Sequence, residues 1–168
     1  MFLATVDVGE HDGMSMPMDR IRAATAVDGD QLLRLWGLLF NEDDRDPLSM
    51  WKQHAQVWFA DCVEDLTVAR FPVIEVDGDL VATAIGTLEL GVPNPQCPRG
   101  RTVRLANVIT VPGHRGRGHA TRLVRDVIAW ARSIEADRVD LSATPHGQRI
   151  YERAGFKLTS APRMKLVL

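Results

Sequence analysis

Val111-Pro112-Gly113-His114-Arg115-Gly116-Arg117-Gly118-His119-Ala120 decides the reading of this chain. Upstream of it, Thr102 to Val111 is rich in β-branched and apolar residues and reads as a central strand. Downstream, from about Gly118 to Ser133, Leu123, Val124, Val127, Ile128 and Ala131 fall on one apolar stripe at helical spacing. A strand therefore enters a glycine-rich turn, Pro112 to Arg117, and a helix leaves it. Helix N-termini expose unpaired N–H groups and carry partial positive charge. Glycines let those amides close on an anion, and Arg115 and Arg117 add cationic charge. Such a construction favours a phosphate or diphosphate.

Two common phosphate loops do not fit. A Walker loop needs Gly-Lys-Ser/Thr, which is absent here. The dinucleotide pattern G-x-G-x-x-G starts at Gly116 and Gly118, but its third glycine is replaced by Thr121. The element order also differs. A Rossmann unit carries its loop after the first strand, whereas this turn lies past the middle of the chain, after an antiparallel hairpin.

That hairpin is read from Val73, Ile74 and Val76, the turn pair Asp77-Gly78, and Leu80 to Leu90. Further upstream, Arg20 to Ala24 is a short strand. Asp28 is placed to cap a helix from about Asp30 to Phe40, whose apolar face holds Leu32, Leu35, Trp36 and Leu39. A second helix runs from about Leu48 to Val63. Between them lies an acidic loop with Glu42, Asp43, Asp44 and Asp46 around Arg45. Pro93, Pro95 and Pro98 make Gly91 to Gly100 a loop. After the long helix come a short strand, Val139 to Ser142, and a short helix, Gln148 to Ala154, ended by Gly155. Phe156 to Thr159 and Met164 to Leu168 are expected to form a closing hairpin. Strands separated by helices imply an α/β chain with a mixed sheet.

With 168 residues the chain is one domain, residues 19–168, preceded by an N-terminal extension, residues 1–18, expected to lie outside the fold or to reflect an over-called start. A domain of this size buries roughly 70% of its unfolded surface and needs no disulfide or metal staple. Mean hydropathy is −0.10 and the longest apolar runs, such as Leu35 to Phe40, are too short to cross a bilayer. The formal net charge of −2 gives no global support to nucleic-acid binding. Cys62 and Cys97 match no zinc spacing and read as free thiols of a reducing cytoplasm. Residues 1–18 have no basic start or long apolar core, and carry Asp7, Glu10 and Asp12, so they do not read as a secretory signal.

Arg115-x-x-Gly118-x-Ala120 resembles the Gln/Arg-x-x-Gly-x-Gly/Ala signature of the GNAT superfamily of acyl-CoA-dependent N-acetyltransferases. Its setting between a strand and a long helix agrees. So does the run Ile150-Tyr151-Glu152-Arg153-Ala154-Gly155-Phe156, which resembles the family's second motif, a tyrosine followed four and five residues later by Gly-Phe. The resemblance covers about Ile21 to Leu168.

It implies a mixed, mostly antiparallel sheet, splayed at its centre between the strands Thr102 to Val111 and Val139 to Ser142, and flanked by about four helices. It also implies acetyl-CoA as cosubstrate and no metal. Pantetheine would pair with backbone groups of Ile109, Thr110 and Val111. The diphosphate would sit on amides of Arg115, Gly116, Arg117, Gly118, His119, Ala120 and Thr121. Backbone dominates there, so the side chains of Arg117 and His119 matter less. Thr144 stands where many members have an asparagine that bonds the pantetheine arm, and Tyr151 is placed to protonate the departing thiolate.

The general base is not identified. Several members use a glutamate on the strand that here runs from Thr102 to Val111; this strand has no carboxylate, only Arg104, Asn107 and Thr110 among its polar positions. A water relay, Glu89 and His146 remain as alternatives. Trp36, Trp51 and Trp58 either line an acceptor wall or belong to the core. The acidic loop either steers a cationic amine or is a solvated surface.

The reading is an enzyme that acetylates a primary amine of a small molecule or peptide by direct attack in a ternary complex. No covalent acyl-enzyme is expected, because neither cysteine sits in an activating motif. The alternatives are an acyl-CoA-binding regulatory module and a phosphate-binding enzyme of another class. Nucleic acid and membrane are not expected partners, and a homodimer is left open.

Overall fold

A computed structural model describes residues 19–40, 49–161 and 163–167. Its strands are β1 (Arg20–Ala23), β2 (Ala69–Arg70), β3 (Pro72–Val76), β4 (Asp79–Leu90), β5 (Arg101–Thr110) and β6 (Arg138–Asp140). They form one sheet in the order β1-β3-β4-β5-β6, with β2 also pairing β4. All pairs are antiparallel except β5–β6, which is parallel. The α-helices of the described residues are α1 (Gly29–Leu39), α2 (Met50–Cys62), α3 (His119–Ser133) and α4 (Gln148–Arg153).

The sheet separates two apolar cores, because alternate strand residues face opposite sides. On one side Leu32, Leu35 and Trp36 of α1 and Phe59 of α2 meet Phe71, Val73 and Ile85. On the other, Leu123, Val124, Val127 and Trp130 of α3 meet Ile74, Ala84, Val103 and Leu105. Gly86 of β4 sets the spacing of this second layer. A Cβ there would lie 2.7 Å from Val127 Cγ1 and 3.0 Å from Trp130 Cζ3. The Asp77-Gly78 turn forms as read, with both residues at positive φ, 51° and 89°.

The central splay is present. β5 and β6 pair only over Thr102–Arg104 and Arg138–Asp140. Beyond Arg104, β5 keeps β4 on one edge and faces an opening on the other. β5 also carries a bulge. Thr83 pairs with Ile109 and Ile85 with Ala106, so Asn107 and Val108 both oppose Ala84. Asn107 adopts φ 48°, a conformation that asparagine tolerates better than most residues. The extra residue reverses the facing of the strand. Val103 and Leu105 lie in the core under α3, whereas Ile109 lies in the core under α1 and α2.

Two expectations need correction. The C-terminal hairpin is absent: residues 156–161 and 163–167 contain no strand, and Met164, Leu166 and Val167 are exposed. Local β preference is realised only against a partner edge, and the described residues of this segment pair neither with the open edge of β5 nor with β6, the last strand of the sheet. Asp28 precedes α1 but makes no side-chain cap. It is 3% exposed, and its carboxylate accepts from Arg22 Nη1 and Nη2 at 2.7 and 2.8 Å and from Thr25 N at 2.7 Å. Arg22 Nε donates to Glu75 Oε2 at 2.6 Å, so the network ties the start of α1 to β1 and β3.

The Arg22 hydrogen bonds hold the Asp28 carboxyl below its ordinary range. A depressed folded pKa contributes stability above the unfolded value, near 3.9, and loses it as pH falls through the folded value. Asp28→Asn should therefore cost about 1–3 kcal/mol at pH 7, because the half-buried Arg22 guanidinium loses two charge-assisted hydrogen bonds and keeps only its pair with Glu75. Urea unfolding at pH 7 and at successively lower pH should show that gap narrowing below about pH 4.

Candidate active site

The end of β5 is anchored by Val111 N, which donates to Val81 O at 2.9 Å. A single 3₁₀ turn, Pro112–His114, follows, and Gly116 and Gly118 then turn the chain into α3 at φ 79° and 81°. Nothing lies within 4 Å of a Cβ built at either glycine, so this side of the turn is open. The first helical bond of α3 is Arg122 N to Gly118 O at 3.1 Å. The amides of His119, Ala120 and Thr121 therefore precede any helical acceptor and are available to an anion.

The side chains of the turn divide. Arg115 Nε donates to Thr110 O at 3.0 Å and Arg117 Nη2 to Gly113 O at 3.4 Å. Both residues are exposed and brace the turn while adding positive charge. His119 is 2% exposed and faces inward, with neither ring nitrogen hydrogen-bonded. Its Nε2 lies 3.6 Å from Asp19 Oδ2, and burial pushes its pKa down. What His119 can offer a ligand is its amide, not its imidazole. Ile109 is a core residue and can present backbone alone, whereas both backbone groups of Val111 are already bonded, its N–H to Val81 O and its carbonyl to His114 N.

Where β5 and β6 part, a cavity of about 310 Å³ opens. It is bounded by Arg104 at the last β5–β6 pair, by β6 and residues 141–143, by one face of α4, and by residues 156–159 with Arg163. Gln148, Tyr151 and Glu152 supply the α4 face, three positions spaced to share one side of a helix. Tyr151 is half-buried, and its ring meets Phe156 edge-on with centroids 6.0 Å apart. Burial pushes its phenol pKa up, so the hydroxyl keeps its proton across neutral pH. None of Arg115 to Thr121 lines this cavity, so the anion turn and the cavity are separate regions.

Thr144 caps the turn before α4. Its Oγ1 accepts from Gly147 N at 3.3 Å, and its carbonyl accepts from Gly147 N and Gln148 N, both at 3.0 Å. Its hydroxyl is thus already engaged locally. Glu89 pairs with Arg104 Nε at 3.4 Å and sits opposite Thr102, where β5 and β6 are still joined. The structure does not bring it to the open end. His146 is exposed. Trp36 packs against Phe59, Phe71 and Trp58, with centroids 6.0, 6.5 and 6.3 Å away, and is core. Glu42, Asp43, Asp44 and Asp46 lie outside the described residues.

Both cysteines are free. Burial, with Asp61 and Asp65 nearby, pushes the Cys62 thiol up, and Cys97 is buried with its Sγ donating to Asp137 Oδ2 at 3.2 Å. Neither has the environment of a nucleophile. Among the described residues no group of three or more His, Cys, Asp or Glu could hold a metal ion, and no helix is long and apolar enough to cross a membrane. Sequence reading passed over Asp140, Glu152, Lys157 and Arg163 as lining residues. The shared helical face of Gln148, Tyr151 and Glu152 was the available signal for Glu152. For the other three only tertiary packing makes them neighbours.

Residues 34–156 match the acetyltransferase (GNAT) family profile, and the chain belongs to that family. No curated protein sequence matches the chain. Among solved structures it is similar to a predicted acetyltransferase from Clostridium acetobutylicum with acetyl-CoA, at 21% identity and TM-score 0.78, covering 89% of this chain and 96% of that one. It is also similar to glucosamine-6-phosphate N-acetyltransferase from Arabidopsis thaliana, at 18% identity and TM-score 0.73, covering 89% and 98%. An aminoglycoside N-acetyltransferase in complex with CoA gives 15% identity and TM-score 0.73, covering 92% and 97%. These likenesses establish the splayed-sheet fold. Two of these three structures hold acetyl-CoA or CoA.

Proposed function

We propose that this GNAT-family chain transfers an acetyl group from acetyl-CoA to a primary amine of a small molecule or peptide, by direct attack in a ternary complex. The observation that supports this reading is that the glycine-rich turn and the cavity adjoin the same strand, β5, whose edge is unpaired beyond Arg104. The Gly116–Gly118 turn, with open left-handed glycines and free amides, fits the donor's diphosphate. The free edge of β5 from Leu105 to Thr110 offers backbone groups to an extended amide-bearing arm such as pantetheine. Tyr151 stands in the cavity at the parting of the strands.

The step balances without a covalent enzyme intermediate. The neutral amine nitrogen attacks the thioester carbonyl, a C–N bond forms and the C–S bond breaks. Tyr151 donates its proton to the leaving sulfur, and the amine loses a proton to water. β5 has no carboxylate to take that proton, so the rate should rise with pH as the fraction of neutral amine rises.

The missing carboxylate also favours the second reading, an acyl-CoA-binding regulatory module with little transfer activity. Thioester consumption over a panel of primary amines, together with calorimetric titration of acetyl-CoA, separates the two. Binding with amine-dependent release of free thiol is the expected result. Binding with no amine-dependent release would establish the regulatory module, and no binding would remove both readings.

A further inference from the structure

We propose that the acceptor carries a small anionic group, a carboxylate or a phosphate monoester, near its primary amine, and that Lys157 and Arg163 hold that group. The proposal rests on the acetyltransferase reading and specifies its acceptor.

The lining of the cavity at the parting of β5 and β6 carries both signs of charge. Asp140 of β6 and Glu152 of α4 line it together with Tyr151. Lys157 and Arg163, both exposed, line it from the chain segment that follows α4. Arg104, at the last β5–β6 pair, is already met by Glu89 at 3.4 Å. Asp140 is likewise met by Arg138 Nε at 3.3 Å, and Glu152 accepts from Gln148 Nε2 at 2.6 Å.

The two cations of the C-terminal segment have no such match. Arg163 Nη1 donates to Ser142 Oγ at 2.7 Å, a neutral acceptor that positions the guanidinium without compensating its charge. Among the described residues neither Arg163 nor Lys157 has an ion-pair partner. After the pairs above are taken together, Glu152 is left against Lys157 and Arg163, a positive excess in a chain whose formal charge is −2.

A bare alkylamine meets this cavity badly. As an ammonium it is repelled by Lys157 and Arg163, and as a neutral amine it gains nothing from them. A molecule with an amine at one end and an anion at the other matches both signs of charge in the lining. Its amine lies toward Glu152 and Tyr151, where the thioester must be attacked, and its anion lies against Lys157 and Arg163 through charge-assisted hydrogen bonds. A volume of about 310 Å³ suits a molecule the size of an amino acid or an amino-sugar phosphate. The donor's own diphosphate is not the anion in question, because no residue of the Arg115 to Thr121 turn reaches this cavity.

The test uses primary amines in matched pairs with and without the anion, and kcat/KM is referred to the concentration of neutral amine, because a neighbouring anion also raises the amine pKa. L-leucine against L-leucinamide reads a carboxylate, and O-phosphoethanolamine against ethanolamine reads a phosphate. In at least one pair, kcat/KM for the anionic member should exceed that of the neutral member by about tenfold or more, and the pair that shows it identifies the group. In the Lys157→Met, Arg163→Met double variant that ratio should fall to within about threefold of unity, through a raised KM for the anionic member. The charge-keeping pair Lys157→Arg, Arg163→Lys should restore the preference, which a merely structural role would not require.

Calorimetric titration of all four amines into the CoA-loaded protein gives a readout without turnover. If the anionic members bind more tightly and none consumes thioester, charge recognition stands and the transfer reading fails. Equal use and equal binding of both members in both pairs, or a ratio that survives the double methionine variant, overturns the proposal.

Discussion

Tyr151→Phe should lower kcat by about 10- to 1000-fold and leave acetyl-CoA affinity nearly unchanged. The substitution removes one hydroxyl and keeps the ring, which is what packs against Phe156. It is the only tyrosine of the chain, so no second phenol can stand in. Burial makes this phenol a weaker acid than a free one. It works as a proton donor because the leaving thiolate is generated in the same water-poor opening, where a bare anion is costly and correspondingly basic. The raised pKa carries a second consequence. The protonated form required of a general acid persists above pH 10, so any alkaline fall in kcat should lie beyond that point and vanish in the phenylalanine variant. Steady-state kinetics with a verified acceptor, over a pH series, checks both. Unchanged turnover would move the role to water or to another side chain.

Gly118→Glu should abolish measurable acetyl-CoA binding, a loss of at least about 100-fold, with the fold retained. Gly118 closes the turn at φ 81° and its carbonyl takes the first bond of α3. A side chain there meets no protein atom within 4 Å, so nothing clashes, and the cost to folding is the left-handed strain alone, about 1–2 kcal/mol. The damage falls on the ligand. A carboxylate would stand at the free amides where a diphosphate belongs, occupying the helix N-terminus and repelling a like charge. Gly118→Ala separates the two effects, because it introduces the strain without the charge and should weaken binding far less. Calorimetry measures the affinity, and circular dichroism verifies the helix content. Retained affinity in the glutamate variant would sink the assignment of the turn.

The local structure around these two positions was legible in the sequence because turn and helix-end signals act over a few residues. Gly155 adopts the positive φ of the C-cap position it was given, Gly116 and Gly118 also take positive φ, and α3 begins within a residue of its expected start. The charge on Arg115 was legible too, but not its direction. Its guanidinium turns back onto Thr110 O, five residues upstream, which depends on how the 3₁₀ turn folds against the end of β5. His119 shows the same limit more strongly. A histidine in a glycine-rich, basic turn looks solvated, yet its ring is buried beside Asp19, a hundred residues away in sequence.

What the sequence by itself determined is the order and type of most elements, the glycine-rich turn between β5 and α3, the place of the single tyrosine on α4, and the family. Each is encoded within one or two turns of chain, through dihedral preferences and side-chain spacing that no distant contact needs to supply. Only the tertiary structure decided the bulge at Asn107 that turns Ile109 to the opposite face, the loss of the closing hairpin, and the charge pairing around the cavity. Those outcomes depend on which edge lies beside which segment. Met164 to Leu168 has the residues of a strand, but its described residues, 164–167, pair with no edge and stay exposed. Asp140, Glu152, Lys157 and Arg163 become one site only where β5 and β6 separate.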